Sequence, residues 1–186
     1  MSRLPTPASI EAAPVAAQPL LQAVKKQLGV VPNLFRLVST SPAALEGYLG
    51  LNGALAKGAL EAPTRERIAL AVAEINGCNY CLSAHSYLGK NLAKLSDAEM
   101  ASNREGHSAD AKADAAVGFA VKLVNARGHV SDADIKAVRD AGYNDAQLIE
   151  IVLHVALNTL TNYVNEVAKT EIDFPVVSAK ESVKAA

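Results

Sequence analysis

The sequence has no tryptophan, three phenylalanines, five tyrosines and only two cysteines in 186 residues. Aromatics make up 4% of it, too few for a platform on which unpaired bases stack. Two cysteines do not build a disulfide-dense secreted scaffold. Neither sign of charge is in excess: 18 Lys and Arg stand against 19 Asp and Glu, for a net charge of −1. Nucleic-acid binding through a broad basic surface is thereby excluded. No apolar run reaches the roughly 18 residues of a transmembrane helix. Residues 1–20 carry four prolines and no continuous apolar stretch, so no secretory leader is expected. The composition reads as one domain in a reducing, cytoplasmic setting, with no membrane and no nucleic-acid partner.

Proline is also missing from the 111 residues between Pro63 and Pro175. Roughly a fifth of the chain is alanine, the strongest helix former. No strand pattern is present, so the fold is expected to be all-α, with about seven to nine helices. Helices are predicted over 18–28, from Pro42 behind a Ser41 cap to about 57, over 64–76, and over 79–91. Ser96 and Glu99 form a capping-box pattern that starts a short helix. Further helices are predicted over 109–127, over 132–141 behind Ser131, and from Asn144 or Asp145 to about 170. A short turn is expected at 32–37. Residues 1–17 read as a poorly ordered arm, 18–175 as a single helical domain and 176–186 as a mobile tail. Pro63–His85 and Asn144–Glu166 align without a gap, which raises an internal repeat.

Both cysteines fall in one segment, Gly77-Cys78-Asn79-Tyr80-Cys81-Leu82-Ser83-Ala84-His85. On a helix, Cys78, Cys81 and His85 share a face at i, i+3 and i+7. Gly77 breaks the chain before them, which places the thiols in a first turn. There the helix dipole and free N–H groups favour thiolate, the reactive form. His85, one turn past Cys81, is in reach to exchange protons with it or with a leaving group. Glu66 lies on a helix with almost no polar face, so its carboxylate is expected to be partly buried, as suits a general base. Glu74 looks like a solvated edge. His154 sits in an apolar helix and reads as a core or interface histidine; His107 and His129 adjoin glycines in loop-like contexts. Asn158, Asn162 and Asn165 are candidates for orienting a site or a subunit contact.

Three chemical readings fit the Cys-x-x-Cys-x3-His pattern. One is thiol redox chemistry on a helical scaffold, since the βαβ context of a thioredoxin-type motif is missing. Another is zinc, for which the residue types are right, although a closed structural site takes four ligands and no second cysteine pair exists. The third is an inert core pair.

With Glu66, the helix Ile68–Gly77, Cys78-Asn79-Tyr80-Cys81 and His85, the sequence resembles the carboxymuconolactone decarboxylase superfamily, in its alkylhydroperoxidase D-like, peroxidase-related branch. Val31-Pro32-Asn33-Leu34-Phe35, Ala59–Glu66 and Asp145–Tyr163 extend the likeness over about residues 29–175. The resemblance implies an all-helical oligomer that reduces hydroperoxides with a thiol pair. It implies Cys81 as the peroxidatic nucleophile, Cys78 as the resolving thiol, and Glu66 and His85 as the proton relay. At Tyr80 the chain departs from the pattern, where a second histidine stands. The thiol pair points away from lactone decarboxylation. No cofactor or metal is expected. The expected partners are a hydroperoxide, an external dithiol reductant and further copies of the chain, the last supported by apolar surface in 42–57 and 145–170. A thiol-disulfide oxidoreductase or redox-sensing module, and a zinc-holding interaction protein, are the alternatives.

Overall fold

Six consecutive buried residues, Ile68 to Ala73, mark the helix around which the rest is assembled. A helix apolar on all sides must be covered on all sides. The computed structural model describes residues 2–180. Among these, the regular structure is helical throughout, with no strand. In chain order the helices are α1 (Gln18–Leu28), α2 (Asn33–Val38), α3 (Pro42–Leu55), α4 (Ala62–Ile75), α5 (Asn79–Asn91), α6 (Asp97–Arg104), α7 (Ala111–Asn125), α8 (Asp132–Asp140) and α9 (Asp145–Ala168). A 3-10 turn, Val15–Ala17, precedes them. Among the described residues no helix is long and apolar enough to cross a membrane.

The central helix is α4, packed by α5, α6, α7 and α9. Ile68 and Val72 meet Ala116, Phe119 and Ala120 of α7 and Ile151 of α9 in one core. Leu70 and Ala73 meet Cys78, Cys81, Leu82 and Met100 in a second. Burying an aliphatic side chain of this size contributes about 1.5–3 kcal/mol. The two thiols are therefore packed against the buried face of α4.

Local capping follows the sequence. Ser41 accepts the Ala44 N–H, and Ser131 with Asp134 forms a reciprocal capping box. Asn144 does the same with Gln147 at the start of α9. At α6 only half of the expected box forms. Ser96 accepts the Glu99 N–H. The Glu99 carboxylate turns away instead to Arg67 Nε at 2.7 Å, the Ser108 hydroxyl at 2.5 Å and the Ala109 N–H at 3.0 Å. Burial works against its charge, but these donors outweigh it and hold its pKa at about 2.

Several expectations are corrected by long-range contacts. The segment 32–37 is a helical turn, α2, because Asp173 caps its first N–H, that of Asn33, at 2.8 Å. Residues 2–17, expected as a poorly ordered arm, lie packed. Arg36 Nη1 donates to the Ala8 carbonyl at 2.7 Å, and Ala13 and Ala17 are buried with Leu21 and Leu45. Small alanine side chains allow that close approach, and prolines lower the entropy lost on ordering. Of the expected mobile tail, residues 176–180 lie along α5. Val177 N–H donates to Ser83 Oγ at 2.9 Å, Ala179 N–H to Asn79 Oδ1 at 2.8 Å, and Lys180 N–H to Glu74 Oε1 at 2.7 Å. The rest of that tail, 181–186, lies outside the described residues. Glu74 is no solvated edge: it accepts Arg104 Nε at 2.6 Å, with its side chain only 11% exposed. The internal repeat is not realised either. Residues 63–85 break at Gly77, whereas 144–166 belong to one unbroken helix.

Candidate active site

The junction between α4 and α5 sets the thiols. Gly77, at φ +65°, donates its N–H to Glu74 O at 3.0 Å, and Cys78 donates to Ala73 O at 3.0 Å. This paired stop needs a left-handed residue at Gly77 and satisfies the end of α4. It also leaves Cys78 as the N-cap of α5, its Sγ accepting the Cys81 N–H at 3.4 Å. Cys81 follows in the first turn, where unpaired N–H groups and the helix dipole favour negative charge.

The two cysteines are reduced and differ in environment. Cys78 is 0% exposed and Cys81 3%. Cys81 reaches the wall of a cavity of about 360 Å³ whose lining does not include Cys78. Asn165 of α9 donates Nδ2 to Cys81 Sγ at 3.3 Å. Asn162, holding Asn76 through Oδ1 at 2.8 Å, leaves its buried Nδ2 without a hydrogen-bond partner among the described residues. The Cys78 thiol hydrogen-bonds the Cys81 sulfur and so favours Cys81 thiolate. Burial opposes that charge, while His85, Asn165 and Asn162 support it, and the Cys81 pKa falls to about 6. Donating that hydrogen bond, together with burial, pushes the Cys78 thiol the other way, up. One proton is thus kept on Cys78 while Cys81 ionises.

His85 and Glu66 come together as a pair, Nδ1 to Oε2 at 2.8 Å, each side chain 22% exposed. Burial disfavours the imidazolium, but the Glu66 charge, its hydrogen bond and the Cys81 charge outweigh this and raise the His85 pKa. The charges of His85 and Cys81 thus support one another, and Glu66 supports that of His85. His85 and Glu66 line the same cavity as Cys81.

Tyr80 is 4% exposed, and its hydroxyl accepts the Leu34 N–H at 3.0 Å. Its ring stands edge-on to Phe174. It clamps α2 and the C-terminal segment to the start of α5, and burial pushes its phenol up. Among the described residues no group of three or more His, Cys, Asp or Glu side chains is placed to hold a metal ion.

Sequence reasoning missed Tyr48 of α3. It lines the cavity, and burial, with the charges of Cys81 and Glu66 nearby, raises its pKa. No local pattern marks it; only an isolated aromatic on an Ala-, Leu- and Gly-rich helix stood as a signal. Asn165 stood among three candidate asparagines without anything to single it out. His154 is buried as expected, but it also lines the cavity.

The thiolate reading makes a direct prediction. Ultraviolet titration of the reduced protein should show one thiolate forming with a midpoint near 6. Asn165→Ala, which removes a donor to that sulfur, should move the midpoint upward. An unchanged midpoint would show that the amide plays no part.

Comparison with known proteins adds the following. Residues 42–126, which run from α3 to the end of α7 and hold Glu66 and both thiols, match the model of the carboxymuconolactone decarboxylase family. The chain is similar to the crystal structure of an alkylhydroperoxidase core, an uncharacterized peroxidase-related protein from Ralstonia eutropha JMP134. Identity is 27% over 92% of each chain, with a TM-score of 0.82. A peroxidase-related protein from Silicibacter sp. TM1040 is 25% identical over 91% of each chain, with a TM-score of 0.79. The debrominase Bmp8 in complex with 2,3,4-tribromopyrrole shares the fold at 21% identity over 93% of each chain, with a TM-score of 0.76. No curated protein sequence matches the chain.

Proposed function

We propose, for a chain whose residues 42–126 match the carboxymuconolactone decarboxylase family and which is similar to peroxidase-related alkylhydroperoxidase structures, the activity of a thiol-dependent hydroperoxide reductase. The observation that carries it is a cavity whose wall joins a depressed-pKa thiol, Cys81, to the His85–Glu66 pair. Cys81 thiolate attacks the near oxygen of the O–O bond. An S–O bond forms, the O–O bond breaks, and sulfur loses the two electrons that the peroxide gains. The departing alkoxide takes a proton from the His85 imidazolium, which Glu66 holds in place, and leaves as alcohol. The Cys78 thiol then attacks the sulfenic acid. The S–S bond forms, the S–O bond breaks and water leaves. An external dithiol reopens the disulfide by exchange and is itself oxidised.

The burial of both sulfurs favours this reading over thiol-disulfide exchange with a folded partner. A thiolate 3% exposed at a cavity wall admits a small peroxide more readily than a protein disulfide. The exposed side chains Ile149, Leu160, Tyr163 and Val167 recur along one side of α9 and support a homo-oligomer.

The test is direct. Reduced protein mixed with tert-butyl hydroperoxide should lose both thiols within one chain as one tert-butanol forms per chain. Retention of both thiols in excess hydroperoxide, with rapid oxidation by a disulfide reagent instead, would favour the exchange reading.

A further inference from the structure

The cavity is lined by further polar groups that the thiol chemistry leaves unused. Arg65 of α4 lines it, half-buried, and uses Nη1 to donate to the Leu55 carbonyl at 3.1 Å. Among the described residues no carboxylate pairs with this guanidinium, which keeps further donors open. His154 of α9 lines the same cavity at 6% exposure, and its Nε2 is buried without a hydrogen-bond partner among the described residues. Its neighbours on α9 are satisfied locally: Asn158 Nδ2 donates to the His154 carbonyl at 2.8 Å, and Thr161 Oγ1 to the Asn158 carbonyl at 2.9 Å.

A buried ring with an idle nitrogen costs free energy unless a ligand supplies the partner. An arginine without a counterion is a ready partner for a carboxylate, which its planar fork matches. Arg65 and His154 line the same cavity, and the charge of Arg65 disfavours a proton on His154. Burial first, and then Arg65, hold the His154 pKa at about 4, with Glu150, Glu66 and His85 as the other charges around it. The Glu150 carboxylate is already taken by the N–H groups of Ala59 and Leu60, at 2.9 and 2.7 Å. Glu66 is taken by His85. His154 thus offers an unpartnered, uncharged ring nitrogen to the cavity that the Arg65 cation also lines. The wall also includes the apolar side chains of Ala62, Ala69 and Leu157. At about 360 Å³ the space suits a small organic molecule and far exceeds hydrogen peroxide.

We infer that Arg65 and His154 form a carboxylate subsite, so that the substrates are organic hydroperoxides bearing an acidic group on an apolar body. The inference rests on the peroxidase reading for the word hydroperoxide, and on the geometry alone for the acidic group. The carboxylate contact is present before and during O–O cleavage, so it acts on KM more than on kcat.

The experiment uses a matched pair, cumene hydroperoxide and its para-carboxylate, together with the unreactive para-isopropylbenzoate. Wild-type kcat/KM should favour the carboxylate by about tenfold or more, and Arg65→Met should bring the ratio to about one, with the change in KM. Arg65→Lys, which keeps the charge but not the fork, should fall between. Calorimetry on Cys81→Ser protein should show para-isopropylbenzoate binding and isopropylbenzene failing to bind comparably. A ratio that Arg65→Met leaves unchanged overturns the inference. So does failure of para-isopropylbenzoate to bind, which requires no variant at Arg65. If that anion binds in an Arg65-dependent way while neither hydroperoxide is reduced, the subsite stands and the peroxidase reading falls.

Discussion

Cys81→Ser protein is expected to consume no hydroperoxide above the uncatalysed background, whereas Cys78→Ser protein should consume about one equivalent and stop as a trappable sulfenic acid. The asymmetry follows from position. Cys81 lines the cavity and ionises near 6, while Cys78 is fully enclosed and its thiol is pushed up by the hydrogen bond it donates and by burial. Serine at 81 removes the only thiolate that a peroxide in the cavity can meet. Serine at 78 preserves more than it removes: its hydroxyl still caps α5, where serine is a preferred residue, and still donates toward the Cys81 sulfur. The first turn keeps its shape and Cys81 keeps its charge, but no second sulfur remains to expel water from the sulfenic acid. Single-turnover peroxide consumption with mass spectrometry of the product distinguishes the two. A dead Cys78→Ser and a trapped sulfenic acid in Cys81→Ser would reverse the roles. Consumption unchanged in both would end the peroxidase reading.

Glu66→Gln is expected to slow sulfenic-acid formation by about 10²-fold and to narrow the pH range of what remains. In the proposed mechanism Glu66 serves as a positioning residue, its carboxylate meeting His85 Nδ1 at 2.8 Å. In the wild type the rate should rise as Cys81 ionises near pH 6. It should fall only where His85, its pKa raised above the usual histidine value, loses its proton. Glutamine removes the charge that opposes the burial of His85 and leaves only a neutral acceptor for its Nδ1–H. The imidazolium is then lost at lower pH, so the falling limb moves down. A weaker imidazolium supports the thiolate less, so the rising limb moves up from about 6. The two limbs report properties of the coupled pair. A lower rate with an unshifted profile would mean that Glu66 serves the fold rather than the proton. Glu66→Asp, which keeps the charge on a shorter stem, should recover part of the falling limb.

Much of this arrangement follows from interactions within one helical turn. Periodicity alone placed Cys81 and His85 one turn apart on α5, because sequence separation in a helix converts directly into direction; Cys78, expected on the same face, is instead the extended N-cap and lies outside the cavity wall. The ends of α3, α8 and α9 were legible for the same reason: Ser41, Ser131 and Asn144 each satisfy an N–H three residues ahead. The stop at Gly77, and with it the start of α5, needed only a residue free to adopt positive φ. The weaker readings failed wherever a distant group outbid a local one. Glu99 left its capping box for Arg67 and Ser108, and Glu74 left solvent for Arg104 and Lys180.

The sequence by itself therefore determined an all-helical chain and the spacing of its thiols. Only the tertiary structure decided which thiol is ionised and what it faces. The hydrogen bond from Asn165 to Cys81 spans 84 residues, and the pairing of Glu66 with His85 joins two helices across the break at Gly77. Tyr48, Arg65 and His154 are brought to the same cavity by α3, α4 and α9. Such contacts depend on how helices rotate and cross against one another. That is set by the volumes of every core side chain together, so no local stretch of sequence encodes it.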